Sequence, residues 1–184
     1  IPNYNGMKYL PECMASLCQG QENAPEYEVL IIDNGSADGS VEYLDSEWCR
    51  KKEAPAEEGG KPQVRLIALP ENTGFCHAVN LGIREARSSY VILLNNDTRV
   101  EAGFVKGLYD AIRKDEKIFS VSAKMLMWDK PELLDDAGDR YCVLGWAYSR
   151  GKGRPAVDYD KNVSIFSACG GAAIYRRQVF EEIG

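Results

Sequence analysis

The sequence predicts an α/β fold with a mostly parallel central sheet and helices on both faces, and two alternating patterns lead to this prediction. Short runs of Val, Ile and Leu that end at polar residues are typical of strands buried on both faces. These runs lie at residues 29–32, 64–69 and 90–94. The segments beside them have apolar residues at helical spacing, and parallel neighbouring strands need such helical crossovers. These segments lie at residues 10–18, 41–48, 79–86 and 104–112.

Length, composition and charge are those of an ordinary domain. The chain has 184 residues, 45% of them hydrophobic and 27% charged, and no apolar run approaches the roughly 20 residues of a membrane-spanning helix. The formal net charge of −6, without a basic stripe, argues against nucleic-acid binding. Six cysteines without a CxxC pair and a single His predict neither a disulfide scaffold nor a zinc cluster.

We expect one domain over residues 1–184, cut at both ends. Ile1 and Pro2 resemble the last residues of a buried strand, and the sequence stops just after a helix-like segment. Residues 49–62 contain almost no large apolar side chain, so we interpret them as a mobile surface loop. After residue 124 the apolar pattern loosens into scattered aromatic residues, which favours a region that covers a ligand.

Polar, turn-forming residues follow each predicted strand. In an open parallel sheet, ligands bind outside the carboxyl ends of the strands, where helices begin. The loops at this edge are NYNG at 3–6, DNGSADGS at 33–40, ENTGF at 71–75 and NNDT at 95–98. Their Asn, Asp, Ser and Gly residues suit polar ligands, although turn formation alone also explains them. We therefore expect the functional site at this edge.

Two carboxylates in these loops are the strongest candidates for chemistry, Asp33 and Asp97, each at the end of a strand. A carboxylate there caps a turn, accepts hydrogen bonds or holds a cation. For Asp33 two interpretations stay open, a cap for the amides of Gly35 and Ser36 or a ligand contact. Asp97 follows two Asn residues, and Mg²⁺ takes one or two carboxylates together with phosphates and water. Asp97 therefore has a stronger case for a function than Asp33, and a divalent cation would suit its carboxylate.

Several motifs together resemble the inverting glycosyltransferases of family 2, which have the GT-A fold. IPNYNG, VLIIDNGSADGS, ENTGFCHAVNLGI and VILLNNDT occur in the family's order over roughly residues 1–124, and DDAGDRY and SACGGAAIYRRQVFEEIG extend the likeness nearly to the end. The resemblance implies a Rossmann-like fold of nucleotide-diphospho-sugar transferases. It implies a nucleotide-binding half at 1–124 and the start of an acceptor-binding half at 125–184. The sequence is most similar to the rhamnosyltransferase-like branch, where NND replaces Asp-x-Asp.

The resemblance also implies roles for single residues. Pro2 and Tyr4 would line the nucleobase pocket, and Asp33 would accept the imide N–H of uracil or thymine. Asn95 would face the ribose, and Asp97 would hold Mg²⁺ or Mn²⁺ that bridges the diphosphate. Because Asn95 replaces an Asp, we expect weak metal binding without nucleotide. The complete set of implied nucleotide-binding residues is Pro2, Tyr4, Asp33, Asn34, Gly35, Asn72, Gly74, Asn80, Asn95, Asn96 and Asp97.

Four residues of the second half are candidates for the acceptor or donor-sugar side. Asp135 and Asp136 match a family segment between the metal site and the acceptor, and the alternative for both is a turn. Gly170 and Gly171 either let the donor sugar approach backbone amides or pack tightly under a helix. For the adjacent Arg176 and Arg177, we favour a solvated helix face over a contact with phosphate.

The implied reaction transfers a sugar from a UDP- or dTDP-sugar to a hydroxyl of a glycan or lipid-linked acceptor, with inversion and metal assistance. The hydroxyl needs a general base, which the resemblance places beyond Gly184, so we assign no catalytic residue. We expect a cytoplasmic enzyme of polysaccharide or cell-envelope synthesis at the inner membrane face. Peripheral membrane association and the oligomeric state stay open. The alternatives are a noncatalytic nucleotide-sugar or glycan-binding module, and a nucleotidyltransferase, which would need a basic Gly-rich loop after the first strand.

Overall fold

The computed structural model describes residues 1–50 and 62–183, in which strands and helices alternate as the sequence predicts. Most of the loop predicted at 49–62 lies outside these residues. The strands are β1 (Pro2–Asn3), β2 (Glu28–Asp33), β3 (Gln63–Ala68), β4 (Tyr90–Leu94), β5 (Ser120–Ser122), β6 (Met125–Met127), β7 (Lys130–Asp136), β8 (Asp139–Tyr141), β9 (Ala147–Ser149) and β10 (Ala172–Arg176). The helices are α1 (Leu10–Cys18), α2 (Ser40–Leu44), which continues as a π-helical turn (Asp45–Cys49), α3 (Phe75–Glu85), α4 (Phe104–Ile112), a 3-10 helix (Ala156–Tyr159) and α5 (Arg177–Ile183).

Three parallel strands form the first sheet, in the order β1–β2–β3. Asn3 pairs with Asp33, and Asp33 pairs with Ala68, so the three strands end at one edge. Because strand residues alternate between faces, Ile31 and Ile32 point to opposite sides. Ile31 packs into the core with α1 and α2, whereas α3 approaches Ile32 so closely that a Cβ on Gly82 would lie 3.3 Å from its Cγ1 atom. Helices therefore cover both faces, as predicted.

Strand β4 belongs to a second hydrogen-bonded sheet, which is antiparallel. β10 lies between β4 and β5 and runs antiparallel to both, with Ala172 opposite Leu94 and Ile174 opposite Val121. The sequence predicts β4 but not β10, because the five residues AAIYR follow a run of small residues and precede a helix. Although the α/β fold class is confirmed, the central strands are thus parallel on one side and antiparallel on the other. β10 brings the segment before it to the end of β4.

Arg176 at the end of β10 binds main-chain carbonyl groups at and beyond the end of α4. Its guanidinium donates hydrogen bonds to the carbonyl oxygens of Ile118 at 2.7 Å, Ile112 at 2.9 Å and Asp115 at 3.0 Å, and to the Tyr90 hydroxyl at 3.2 Å. The interpretation of Arg176 as part of a solvated helix face is therefore wrong. The guanidinium instead connects the end of β10 to the end of α4 and to the segment that follows α4.

Between residues 125 and 149 the chain forms two antiparallel hairpins, β6–β7 and β8–β9, and strand–helix order returns only with β10 and α5. Tyr141 of β8 stacks on Phe166, with ring centroids 4.8 Å apart. Several other aromatic side chains of this region are exposed. Within residues 1–50 and 62–183, no helix is long and apolar enough to cross a membrane.

Candidate functional site

Four loops meet at the edge where β1 to β4 end, and Asn3 joins three of them. Asn3 is buried; its Nδ2 donates to Asp33 Oδ2 at 2.7 Å, and its Oδ1 accepts a hydrogen bond from Asn96 Nδ2 at 2.6 Å. The loops after β1, β2 and β4 are therefore connected through one side-chain amide. Asn5 adds a second link, because its backbone N–H donates to Ser36 Oγ at 2.9 Å. The loops that carry Asp33 and Asp97 thus lie together at one edge, as the sequence predicts.

Asn34 connects the loop after β2 with the loop after β3. Its Nδ2 donates to Asn72 Oδ1 at 2.9 Å, and its Oδ1 accepts from the backbone N–H and the hydroxyl of Thr73 at 2.9 and 3.0 Å. Asn72 Oδ1 also accepts the backbone N–H of Gly74 at 2.9 Å, directly before α3 begins. The buried Asn34 side chain is thus occupied within the protein and holds the two loops together.

Gly35 allows the closest approach between these two loops. Its φ is +76°, and a Cβ at this position would lie 2.7 Å from the carbonyl carbon of Glu71. Real Cβ atoms do not approach main-chain atoms so closely, and side chains are unfavourable at this φ. The chain therefore needs glycine here to bring Asn34 within reach of Asn72.

Replacing Gly35 with Ala is expected to lower the free energy of unfolding by about 3 kcal/mol or more, because a left-handed φ and an overlap with the main chain both add cost. Gly39→Ala is the matched control, since Gly39 has φ +87° but nothing within 4 Å of the position that a Cβ would take. The control should lose only about 1–2 kcal/mol. Urea unfolding of both variants checks this, and equal losses would contradict the close contact with Glu71.

Asp33 is fully buried, at 0% exposure, and caps its own loop. Its Oδ1 accepts the backbone N–H of Ser36 at 2.9 Å, and its Oδ2 accepts the Ser36 hydroxyl at 2.7 Å as well as Asn3 Nδ2. This arrangement corresponds to the capping interpretation, with Ser36 and Asn3 as partners instead of Gly35. A contact between Asp33 and a nucleobase stays a prediction, and it requires this network to open.

Asp97 is the opposite case, an exposed carboxylate beside the same network. Among the residues that the structure describes, it has no hydrogen bond or ion pair. The described residues also contain no group of three or more His, Cys, Asp or Glu that could hold a metal ion. A divalent cation at Asp97 would therefore take most of its ligands from a bound phosphate and from water.

Asn95, two residues before Asp97, is fixed through its main chain. Its N–H donates to the carbonyl oxygen of Gly171 at 2.9 Å, and its own carbonyl oxygen accepts the Thr98 hydroxyl at 2.7 Å and the Cys13 thiol at 3.8 Å. Burial raises the pKa of the Cys13 thiol, which favours the protonated donor. Gly171 and the exposed Gly170 thus lie beside the segment 95–97, for which the sequence predicts metal binding.

The remaining predicted nucleotide-binding residues lie in or next to the same loops. Tyr4 is 51% exposed and follows Asn3, so part of its ring is accessible for stacking. Pro2 is half-buried in β1, and the exposed Gly74 precedes α3 with φ +92°. Asn80 is exposed on α3, in the second turn of the helix. Their contacts with a nucleotide stay predictions.

Asp135 and Asp136 have separate environments. Asp136 is buried, accepts the backbone N–H of Gly138 at 3.0 Å and bonds the Ser149 hydroxyl, so it caps the turn between β7 and β8. The turn alternative therefore accounts for Asp136, although this turn is buried rather than solvated. Asp135 pairs with Lys152 Nζ at 2.9 Å, and this hydrogen bond raises the pKa of Lys152.

Sequence reasoning did not assign Asn3, Ser36 or Thr73, which carry much of the network. They lie in or beside the loops that it selected, but a cluster of polar residues does not reveal which side chain points inward. For Asn3 the available signal was its position at the end of β1, beside Asp33 in the parallel register. Thr73 also contacts α3, because its hydroxyl lies 2.7 Å from His77 Nδ1.

The fold and the polar loop edge define a nucleotide-diphospho-sugar transferase fold of the GT-A type, and comparison with solved structures agrees. The chain is similar to S. aureus TarS in complex with UDP, with 19% identity, a TM-score of 0.64 and coverage of 98% of this chain and 46% of that one. It is also similar to the mannosyltransferase PcManGT from Pyrobaculum calidifontis in complex with GDP-Man and Mn²⁺, with 17% identity, a TM-score of 0.66 and coverage of 100% and 45%.

The chain belongs to glycosyl transferase family 2, whose family model matches residues 1–184. The glycosyltransferase GlyG of Streptococcus pneumoniae is 25% identical over 170 residues, which are 90% of this chain and 52% of GlyG. An undecaprenyl-phosphate 4-deoxy-4-formamido-L-arabinose transferase of Pseudomonas fluorescens is 33% identical over 98 residues, 53% of this chain and 26% of that protein. The chain thus spans about half the length of GlyG and a smaller share of the Pseudomonas protein.

Proposed function

We propose that the chain forms the donor-binding part of a glycosyltransferase, which moves a sugar from a nucleotide diphosphate sugar to an acceptor hydroxyl with inversion. The observation that carries this proposal is the convergence of four polar loops at one sheet edge, with the exposed Asp97 beside the network of Asn3, Asp33 and Asn96. Membership of family 2 supports it. The similar structures that contain UDP or GDP-Man support a nucleotide-sugar donor.

In this proposal different loops contact or position different parts of a bound UDP- or dTDP-sugar. Tyr4 stacks on the pyrimidine, and Pro2 lines the same pocket. Asp33 is buried, and it acts mainly by holding Asn3 and Ser36 in position through hydrogen bonds. Asn34, Gly35 and Asn72 keep the neighbouring loops at the spacing that the nucleotide requires, while Gly74, Asn80 and Asn96 complete the pocket.

We infer that Asp97 holds a divalent cation, Mg²⁺ or Mn²⁺, together with the donor diphosphate. Asp97 offers an exposed carboxylate without a protein partner among the described residues, and hard cations bind such oxygens. PcManGT, which shares the fold, was solved with Mn²⁺. When bound, the cation would neutralise the negative charge that develops on the departing diphosphate. The Asn95 main chain keeps Asp97 close to Gly170 and Gly171, where we place the donor sugar.

The finer assignments are also proposals. We place the donor side in residues 1–124 and the start of the acceptor side in 125–184, and the NNDT sequence at 95–98 supports the rhamnosyltransferase-like branch. A glycan or lipid-linked acceptor at the cytoplasmic face of a membrane agrees with the names of relatives such as the undecaprenyl-phosphate transferase. Of the acceptor-side candidates, Asp135 is the more accessible, because Asp136 is a turn cap.

Thermal unfolding of the full-length protein with a panel of nucleotide sugars tests this function. With Mn²⁺ present, UDP- or dTDP-sugars at 100 times their dissociation constant should stabilise the fold by about 2.7 kcal/mol, and adenine nucleotides should not. If no nucleotide sugar raises the unfolding temperature, the proposal fails. Transfer to an added acceptor then distinguishes an enzyme from a noncatalytic binding module.

A further inference from the structure

The hairpin formed by β8 and β9 ends in a tight turn that is built almost entirely from apolar residues. The N–H of Gly145 donates to the carbonyl oxygen of Cys142 at 2.9 Å, and the N–H of Cys142 donates to that of Trp146 at 2.8 Å. Gly145 has φ +99°, which is typical of a three-residue hairpin connection. Val143 and Leu144 therefore occupy the two central positions of the turn.

These side chains contribute little to the protein's own core. Val143 is 98% exposed, Leu144 is 72% exposed and Trp146 is 55% exposed. Turn centres favour Gly, Pro, Asn, Asp and Ser, since these residues either fit the backbone or hydrogen-bond to it. Folding therefore does not explain Val143 and Leu144 at this tip, whereas an apolar environment outside the protein does.

The charge around the tip differs in sign from that of the whole chain. Residues 138–154 contain four basic residues and one acidic residue, a net charge of +3. Asp135 and Asp136 contact this segment at Lys152 and Ser149, and with these two acids the local charge is +1. The basic residues are Arg140, Arg150, Lys152 and Arg154. Arg140 and Arg154 are exposed and form no ion pair among the described residues. Lys152 pairs with Asp135 and Arg150 stacks on Tyr159, so Arg140 in the hairpin and Arg154 after it are the two basic side chains that can complement a negatively charged surface.

We propose that the tip of the β8–β9 hairpin (Val143, Leu144 and Trp146) inserts into the interfacial layer of a membrane that contains anionic lipids. Trp is enriched at the boundary between head groups and acyl chains, and aliphatic side chains gain by entering that layer. Arg140 and Arg154 contact the lipid phosphates, as basic residues near an anionic leaflet do. A lipid surface is a better partner for this tip than a sugar chain, because the side chains of Val143 and Leu144 offer no hydrogen-bonding group. This proposal does not rest on the donor site.

Co-sedimentation of the full-length protein with lipid vesicles tests the proposal. Vesicles of phosphatidylcholine with phosphatidylglycerol should bind the wild type about 10-fold more tightly than pure phosphatidylcholine, and higher salt should weaken this binding. The double variant Val143→Asp/Leu144→Asp should bind the anionic vesicles at least about 10-fold less tightly. Ile183→Asp is the matched control, because Ile183 is 69% exposed on α5, and it should bind like the wild type.

Tryptophan emission gives a second readout that does not depend on the double variant. Anionic vesicles should shift the emission of the wild type to shorter wavelength and shift that of Trp146→Phe much less, while thermal unfolding of both stays alike. The proposal is overturned if the wild type ignores anionic vesicles, if Ile183→Asp loses binding equally, or if the tip variants instead dissociate a dimer or lose binding of a soluble glycan. Stabilisation by nucleotide sugars should be the same in all these variants, so failure here and failure of the donor site are distinguishable.

Discussion

The substitution Asp97→Ala is expected to weaken Mn²⁺-dependent binding of UDP about 100-fold, equivalent to nearly 3 kcal/mol. The reason is that the exposed carboxylate of Asp97 would supply the protein's charged ligand to the cation. Asp97 forms no hydrogen bond or ion pair among the described residues, so the free energy of unfolding should change by less than about 0.5 kcal/mol. Calorimetric titration with UDP, with and without Mn²⁺, measures the effect.

Two further variants make this test specific. Asp97→Asn keeps one side-chain oxygen but removes the charge, so its loss should lie between those of wild type and Asp97→Ala. Glu116→Ala removes another exposed acid, in the segment after α4, and it should leave UDP binding unchanged. Without metal, all four proteins should bind UDP with the same low affinity. If Asp97→Ala binds UDP and Mn²⁺ like the wild type, the metal assignment is wrong.

The substitution Asp33→Ala is expected to cost about 4 kcal/mol of the free energy of unfolding. It removes three hydrogen bonds, from the partly buried N–H and hydroxyl of Ser36 and from the buried amide of Asn3, which keeps only a 3.3 Å contact with the Ser36 hydroxyl. Each buried polar group that loses its acceptor costs about 1–3 kcal/mol. The resemblance alone would predict a larger effect on nucleotide binding than on folding. The complete burial of Asp33 reverses that order.

Urea unfolding of Asp33→Ala should be compared with that of Asp38→Ala. Asp38 also accepts loop hydrogen bonds, from the N–H of Met7 at 2.8 Å and from the hydroxyl of Ser40 at 2.6 Å, but it is exposed. Water can replace the lost acceptor at Asp38, so its loss should be only about 1 kcal/mol. An Asp33→Ala protein that is as stable as the wild type yet no longer binds UDP would show that Asp33 contacts the base directly.

Much of the fold can be predicted from the sequence, because the spacing of apolar residues along the chain indicates which side chains are buried. The runs at 29–32 and 90–94 correspond to β2 and β4, and the helical spacing at 104–112 corresponds to α4 (Phe104–Ile112). β10 was not predictable in this way, because its direction and its place between β4 and β5 depend on contacts far along the chain. Arg176 illustrates the same limit, since its carbonyl partners lie about 60 residues earlier.

The candidate site was predictable as a set of loops but not as an arrangement of side chains. Asp33 and Asp97 have a similar sequence context, because each follows an apolar run; Asp33 is the last residue of β2, and Asp97 lies three residues after the end of β4. In the structure Asn3 and Ser36 surround the first carboxylate, while Asn96 takes the inward position next to Asp97 and leaves Asp97 exposed. Which acid is buried depends on the neighbouring loops, so a single motif cannot reveal it.

A crystal structure of the full-length protein with UDP and Mn²⁺, with manganese located by its anomalous scattering, tests the central claim most directly. We predict the manganese bound to the carboxylate of Asp97 and to the diphosphate, with the uracil against Tyr4 at the edge where β1 to β4 end. A nucleotide bound at another surface, or a manganese ion held by other residues while Asp97 faces solvent, would contradict the account.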